Sequence, residues 1–399
     1  MSRDPSVIVD QFLRDITTGP RLTCRASVPA PEAVTGLTAL LAGDVPGARA
    51  ALGPSGFTIA EATDPVTGRP CLLARSRSPA ARLGGLVLVD RSTEPSLRVG
   101  VPHPDGDRAC VDLGLRLWRA VPGSLLALAT DPAGCSPGRT GPTCDTTSLS
   151  HAAWAYAAGP RGVTHIEIGS FAGRPPRGPA GWGAWGRAAD VVVSAGSADL
   201  TLPALRIAER VEATGLDTRR DWDDTAVYET TAPTNTQSPT AGRHARAWIS
   251  LRVGPMVRST PARWQAVADA VAQADPARYH PVDLGTALGG PMVIDASLGD
   301  HFLLRLGSDV SLRFVGAPTN GTRALLHVEA SQEPHTLRLI TDREADDPGP
   351  ASRDTITIVP GRAWYGILRR DEAGRWPLVQ SIEEPVRHGA RLTRTDTQP

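Results

Sequence analysis

The sequence predicts an α/β three-layer sandwich with a mostly parallel sheet, followed by a separate C-terminal all-β sandwich or barrel. Over residues 30–274, short runs rich in Val, Ile and Leu alternate with segments whose apolar residues recur at helical spacing. Over residues 281–385, short strand-like runs follow one another at intervals of about 8–12 residues, with hardly a helical pattern among them. These two sequence patterns indicate two domains of different fold class.

The candidate strands of the α/β part are apolar runs bounded by Gly, Pro or Asp. They are GGLVLVD (84–90), SLRVGV (96–101), SLLALAT (124–130), VTHIEIG (163–169), ADVVVSAG (189–196) and RAWISLRVG (246–254). Segments with apolar residues at i, i+3, i+4 and i+7 lie between and after them and predict helices that cover the sheet. These are CVDLGLRLWRAV, SLSHAAWAYAA, LPALRIAERVEATG and TPARWQAVADAVAQA.

The remaining stretches mark the boundaries. Residues 1–29 form an N-terminal segment, the polar joint near 275–282 separates the two predicted domains, and the Arg- and Thr-rich residues 386–399 predict a loose tail. The N-terminal segment has charges within its short apolar stretch, and no run of 18 apolar residues occurs, so we expect neither a signal peptide nor a transmembrane segment.

Charge and cysteine content exclude several classes of function. The 42 basic residues, all of them Arg, balance 42 acidic residues, and a neutral chain lacks the positive surplus that non-specific binding to nucleic acid or a membrane surface requires. Five cysteines show neither CxxC nor CxxH spacing, which excludes a zinc finger. The Lys-free composition, rich in Ala, Gly, Pro and Arg, is typical of a GC-rich genome such as an actinobacterial one.

The stretch LRVGVPHPDGD places three potential metal ligands in one loop after a strand. His103, Asp105 and Asp107 offer an imidazole nitrogen and carboxylate oxygens to Zn²⁺. The two Asp residues are equally expected in a Pro- and Gly-containing turn, where they bond to their own backbone. The loop is therefore a candidate metal site with a structural alternative.

The order of these motifs, from PHP through CDTTSLSHAAWAYA to APTNTQSPTAGRHARAWISLRVGPMVRS, resembles the N-formylglutamate amidohydrolase-like group, which is related to the zinc carboxypeptidases. In that group a first-strand His and a nearby acidic residue bind zinc, a second His comes from a later strand, and a late-strand Glu acts as general base. The resemblance implies that His103 is the first ligand and that Asp105 or Asp107 is the acidic one. It also implies substrate contacts from the loop before the last strand, with Asn235, Arg243 and Arg246 as candidates and Arg252 on the strand itself.

Two positions depart from the pattern of that group. IEIGSFAG places Gly169 where the second His is expected, and ISLRVG places Arg252 where the Glu is expected. An Arg is permanently protonated and cannot take a proton from a metal-bound water. A shifted register leaves open His165 with Glu167, Glu167 then being the candidate catalytic carboxylate, or His151 with Asp145.

The C-terminal part resembles a β module found in bacteriophage tail proteins, in its DASLG phrase, its RALLHVEAS run and its closing RWPLV strand. Asn320-Gly321 between two of its runs predicts a tight hairpin turn, because both residues tolerate positive φ. Such a module implies other tail proteins, self-association or a cell-surface polymer as partners.

Two functions follow from these features. The first is a virion-associated minor tail or tail-tip protein, in the virion or the host cytoplasm, that acts by binding or assembly with an inactive amidohydrolase-like domain and no cofactor. The alternative is a metal-dependent amidase or peptidase, with zinc as cofactor, acting on a peptide or polyglutamate-like substrate.

Overall fold

The structure is a computed structural model, and the chain in it divides into two compact units, Met1–Asp199 with Pro203–Arg278 and Leu200–Leu202 with Tyr279–Pro399. The domain boundaries expected from the sequence remain predictions. The residues that the structure describes are 4–18, 31–77, 85–102, 104, 108–129, 163–171, 189–195, 200–222, 247–277, 281–316, 323–340, 355–372 and 376–385.

Along the chain, the described helices lie before, between and after the strands of the large sheet. They are α1 (Pro5–Thr18), α2 (Pro31–Ala42), α3 (Val45–Leu52), α4 (Arg108–Ala120), α5 (Leu202–Glu212), α6 (Pro255–Arg258) and α7 (Pro261–Gln273). The first nine strands are β1 (Phe57–Thr63), β2 (Pro70–Ser76), β3 (Gly85–Asp90), β4 (Leu97–Val101), β5 (Ser124–Ala129), β6 (Thr164–Ser170), β7 (Val191–Ser194), β8 (Thr218–Arg220) and β9 (Trp248–Val253).

These nine strands form one mixed sheet in the order β1-β2-β3-β5-β4-β6-β9-β7-β8. The central strands β5, β4, β6 and β9 are parallel, whereas β1, β2, β3 and β5 pair antiparallel, as do β7 and β9. The expectation of a mostly parallel sheet is therefore wrong, while an α/β fold with a large sheet is confirmed. The reason lies in the short links from β1 to β2 and from β2 to β3, because a parallel connection needs about a dozen residues or more.

Strand β5 illustrates how helices are fitted to the sheet. Leu125 and Ala127 share a buried apolar cluster with residues of α2 and α3. Leu126, which points the other way, lies against α4 at Gly114, where an added Cβ would be 3.2 Å from Leu126 and 3.1 Å from Val101. Gly114 thus permits the close approach of α4 to the sheet. The complete three-layer arrangement remains a prediction.

The carboxyl end of α4 is held by one partly buried arginine. Arg69, in the turn between β1 and β2, donates to the carbonyl oxygens of Trp118 (3.0 Å) and Arg119 (2.7 Å), two of the acceptors that a helix end leaves unpaired. Its Nη1 also lies 2.6 Å from Oδ2 of Asp90, a fully buried carboxylate that accepts from the backbone N–H of Gly123 as well. Arg69 therefore links the β1–β2 turn, the end of α4 and the end of β3.

A second ion pair joins the β1–β2 turn to the carboxyl end of α4. Arg119 Nη2 lies 2.7 Å from Oδ1 of Asp64, whose side chain is fully buried. Burial would raise the pKa of Asp64, but hydrogen bonds from Arg119 and Thr67 and the charge of Arg119 outweigh it and lower that pKa. The carboxylate thus stays ionised and holds the turn against α4.

The second unit is β-rich, as expected, but its strands are not arranged as successive hairpins. Two sheets share one apolar core, and they are formed by β10 (Pro281–Ala287), β11 (Gly290–Asp295), β12 (His301–Leu306), β13 (Val310–Val315), β14 (Arg323–Ala330), β15 (His335–Ile340), β16 (Thr355–Ile358), β17 (Arg362–Arg369) and β18 (Leu378–Pro385). One sheet has the order β10-β12-β14-β17-β18 and the other β11-β13-β15-β16. From β10 to β15 the chain alternates between the sheets, so the strands within each sheet run parallel.

The prediction of a hairpin at Asn320-Gly321 is wrong, because the strands before and after it belong to different sheets. Both residues lie outside the described part of the chain, but β13 before them pairs with β11 and β15, whereas β14 after them pairs with β12 and β17. The segment therefore connects two sheets. A turn-prone dipeptide indicates a reversal of the chain and does not determine which strand becomes the partner.

Two imidazoles and a phenol lie in a row across the five-stranded sheet. The rings of His301 and His327 stack with centroids 6.4 Å apart, and those of His327 and Tyr365 with centroids 4.6 Å apart. All three residues are buried. Burial, and secondarily the charge of His327, lowers the pKa of His301 to about 3.

Among the described helices, none combines the length and apolar character needed to cross a bilayer.

Replacing Arg69 with Met should destabilise the first unit strongly. The substitution leaves the Asp90 carboxylate buried without its cation and removes the donors to the end of α4, so we expect a loss of about 3 kcal/mol in the free energy of unfolding. Urea titration monitored by tryptophan fluorescence measures this loss. Arg49→Met, at an exposed site on α3, is the control and should change the free energy by less than about 0.5 kcal/mol. Equal effects of the two substitutions would contradict the assignment.

The buried His301 should make the second unit sensitive to mild acid. Since its folded pKa of about 3 lies below the ordinary value of 6.5, the unfolded chain binds the extra proton first, and stability falls as pH decreases from 6.5 towards 3. One such group contributes a slope of at most about 1.4 kcal/mol per pH unit. His301→Leu should flatten the measured pH dependence of the unfolding free energy across this window, whereas the control His335→Gln should not. A slope unchanged by His301→Leu would refute the prediction.

Candidate functional site

The candidate site lies on one face of the central parallel strands β4, β6 and β9. Side chains alternate along a strand, so His165, Glu167 and Gly169 of β6 share a face. The register places Glu167 beside Ser250 and Gly169 beside Arg252 on β9. The carboxyl ends of these strands meet at one edge of the sheet, where open α/β folds place their binding sites.

An ion pair between Glu167 and Arg252 is the centre of this face. Arg252 Nη2 lies 2.5 Å from Oε1 of Glu167, and Arg252 Nε donates to Ser250 Oγ at 2.9 Å. The Glu167 side chain is 1% exposed, whereas that of Arg252 is 22% exposed. The carboxylate is thus enclosed, and the guanidinium that neutralises it reaches the surface.

Gly169 accommodates the guanidinium. A Cβ added at Gly169 would lie 2.1 Å from Nη1 of Arg252 and 3.0 Å from its Cζ. Any side chain at this position would therefore displace Arg252 from Glu167. The two departures noted in the sequence, a Gly in place of His and an Arg in place of Glu, are complementary in space.

The polar face continues onto β7 and β8 through buried side chains. Ser194 of β7 lies opposite Ser250 in the antiparallel pairing, and its Oγ donates to Oδ2 of Asp221 at 2.6 Å. The backbone N–H of Ala195 donates to Oδ1 of the same carboxylate at 3.1 Å. Asp221 therefore fixes the end of β7 beside the strand that carries Arg252.

At the other side of the face, Arg98 of β4 is buried next to His165 of β6. Sequence reasoning did not select Arg98, Ser194, Ser250 or Asp221 as functional. The available signal was a charged or hydroxyl residue inside an otherwise apolar strand run, as in SLRVGV and ADVVVSAG.

Some of the predicted site residues lie on described strands, and others lie outside the described residues. Of the candidate metal ligands, His165 and Glu167 lie on β6, whereas His103, Asp105 and Asp107 lie outside the described residues. The candidate substrate residue Arg252 lies on β9, whereas Asn235, Arg243 and Arg246 also lie outside the described residues, as do Asp145 and His151. The roles assigned to all of them remain predictions.

The described residues do not by themselves fit a zinc centre. No group of three or more His, Cys, Asp or Glu side chains with suitable spacing occurs among them. Glu167 already has Arg252 as its cation, and a metal there would have to displace the guanidinium. His165 lies four residues before Gly169, or about 13 Å along an extended strand.

Comparisons with known proteins show only distant similarity. No family model matches the chain, and no curated protein matches it. Solved structures that resemble it include a proposed metallopeptidase from Shewanella denitrificans (12% identity, 63% of this chain and 96% of that chain, TM-score 0.29). Two others are a metallo-carboxypeptidase from Burkholderia cenocepacia (14%, 57% and 68%, 0.31) and a proposed metallopeptidase from Shewanella amazonensis (12%, 59% and 89%, 0.26).

These comparisons correct the functional expectation. The solved structures named above are described as metallopeptidases, and none of them is a virion or tail protein. The interpretation as a phage tail protein acting by binding or assembly is wrong, and the virion localisation that depended on it has no support.

Removing Arg252 alone should cost more than removing the whole ion pair. Arg252→Leu leaves the Glu167 carboxylate enclosed without a cation, and we expect the free energy of unfolding to fall by about 3 kcal/mol. The double substitution Glu167→Leu with Arg252→Leu removes both charges and should recover a large part of that loss. Chemical denaturation of the single and double variants measures the coupling.

The exposed pair of Arg219 and Asp217, whose side chains are 41% and 39% exposed, is the control. Arg219→Leu should change stability by less than about 1 kcal/mol. A double variant that is no more stable than Arg252→Leu would show that the ion pair does not explain the loss.

Proposed function

We propose that the first unit is a metal-dependent amidase or peptidase that acts on a peptide-like substrate bearing a carboxylate. The observation that carries the proposal is the Glu167–Arg252 pair, with its partly exposed guanidinium at the ends of two adjacent parallel strands. A fixed cation at this edge of an α/β sheet suits the recognition of a carboxylate, which Arg binds through paired N–H groups.

The metal in this proposal is bound by the loop that follows β4. Strand β4 is parallel to β6, so both strands end at the same edge, and the chain leaves β4 beside the end that carries Gly169. Pro102 and Pro104, which flank His103, are both buried. We assign His103, Asp105 and Asp107 as the ligands in preference to His165 and Glu167, because Glu167 is held by Arg252.

The role of Arg252 in the proposal is to bind and orient the substrate. Ser250 and Glu167 hold its Nε and Nη2, and Nη1 lies over Gly169. A guanidinium fixed by two partners loses little conformational freedom when it binds an anion. A substrate of the glutamate or polyglutamate type supplies the carboxylate that this cation requires.

Zinc content and hydrolysis should depend on His103. Protein purified without chelator should contain about one zinc per chain by elemental analysis and should hydrolyse N-formyl-glutamate or poly-glutamate. His103→Ala should lose both the zinc and the activity, since a catalytic zinc needs three protein ligands and one open position. His335→Ala in the second unit is the control and should retain both.

Arg252→Lys separates substrate binding from metal binding. Lysine keeps the charge but not the planar pair of donors, so the variant should retain its zinc and show a KM raised about tenfold. A chain with no bound zinc and no hydrolysis of either substrate would refute the proposed function.

A further inference from the structure

A pocket of about 560 Å³ lies at the edge of the large sheet, apart from the proposed hydrolytic site. Its wall is formed by strands β1 and β2, the turn between α2 and α3, and Arg91 just after β3. It uses no residue of β4, β6 or β9, the strands that carry the Glu167–Arg252 pair. The pocket is large enough to accommodate a small organic molecule.

Two opposite charges line this pocket without pairing. Arg91 and Glu61 are both exposed side chains on its wall. Neither forms an ion pair with the other or with another residue of the part of the chain that the structure describes. Both charged groups are therefore free to contact a ligand, and a ligand that has one charge would satisfy only one of them.

The position of the Arg91 guanidinium is constrained by its surroundings. The backbone N–H of Arg91 donates to the carbonyl of Pro70 at 2.9 Å. Its guanidinium packs against Gly43, which has φ +76°, and an added Cβ at Gly43 would lie 1.9 Å from Nη1. The glycine in the turn between α2 and α3 thus leaves space for the guanidinium, which lies at the pocket wall.

The rest of the wall used by this argument is apolar. Val45 and Leu72, which lie on the same face of the sheet as Glu61, contribute aliphatic surface. The side chain of Cys71, which pairs with Ala62, points to the opposite face of the sheet from Glu61 and Leu72 and adds no charge to the pocket. This surface favours an apolar group on the ligand and adds no third charge.

We propose that this pocket binds a zwitterionic small molecule of the α-amino acid type with an apolar side chain. Arg91 donates hydrogen bonds to the carboxylate, Glu61 accepts hydrogen bonds from the ammonium group, and the side chain packs against the aliphatic wall. The proposal is independent of the hydrolase activity, since it involves different residues and a different part of the sheet.

Calorimetric titration with leucine, leucinamide and N-acetyl-leucine tests the charge requirement. Leucine has both charges, leucinamide lacks the carboxylate and N-acetyl-leucine lacks the ammonium. We expect leucine to bind at least about tenfold more tightly than either analogue, because each loses one charge-assisted contact. Equal binding of the three molecules, or no detectable heat with leucine, would overturn the proposal.

Substitutions on the pocket wall test the assignment of residues. Arg91→Gln and Glu61→Gln should each weaken leucine binding about tenfold or more, and Gly43→Ala should weaken it by displacing the guanidinium. The matched control Arg49→Gln removes an exposed arginine of α3 that does not line the pocket, and it should bind leucine as the wild type does.

Arg91 and Glu61 are exposed, so their variants should keep the wild-type melting temperature, which is measured alongside binding. Leucine binding that survives both of these substitutions would refute the site even if leucine binds the chain. Zinc content and hydrolysis by Arg91→Gln should match the wild type, so failure of this inference is distinguishable from failure of the proposed function.

Discussion

The arrangement of the central strands depends on neutralising one buried carboxylate. Glu167 stands in the middle of β6 with its side chain buried, and a carboxylate enclosed there without a cation would be costly. Arg252 supplies the cation from β9, but only when Gly169 leaves room for it. Glu167, Gly169 and Arg252 must therefore occur together, and the register of β6 against β9 places them in contact.

The same solution recurs elsewhere in the first unit. Asp64 and Asp90 are buried carboxylates at the β1–β2 corner, and each has an arginine that also contacts a neighbouring element. In a chain whose only strongly basic side chain is Arg, long planar guanidinium groups connect strands, turns and a helix end. Such pairs contribute little net stability compared with apolar packing, but removing one partner is costly, so they favour one arrangement over others.

The central strands could be predicted because each is a continuous apolar run, and α4 and α7 because their apolar residues recur at helical spacing. Strands β1 and β2 were not predicted, since FTIAEAT and PCLLARS are short and combine polar with apolar residues. Their antiparallel pairing made the sheet a mixed one.

Gly169 and Arg252 were identified as departures from a family pattern. Their mutual contact could not be read from the chain, because it depends on strand register. The alternation of the second unit between two sheets has no local signature for the same reason.

That alternation has a consequence for how the second unit folds. In a hairpin, neighbours in the chain become neighbours in the sheet, and the first hydrogen bonds close a short loop. Here β10 reaches β12, and β12 reaches β14, only across an intervening strand that belongs to the opposite sheet. Pairing therefore requires closure of a longer loop before any ladder forms, which slows the early steps and makes the two sheets grow together. Two antiparallel pairs of consecutive strands, β15 with β16 and β17 with β18, are exceptions, and the shorter link between β17 and β18 makes that pair the more local one.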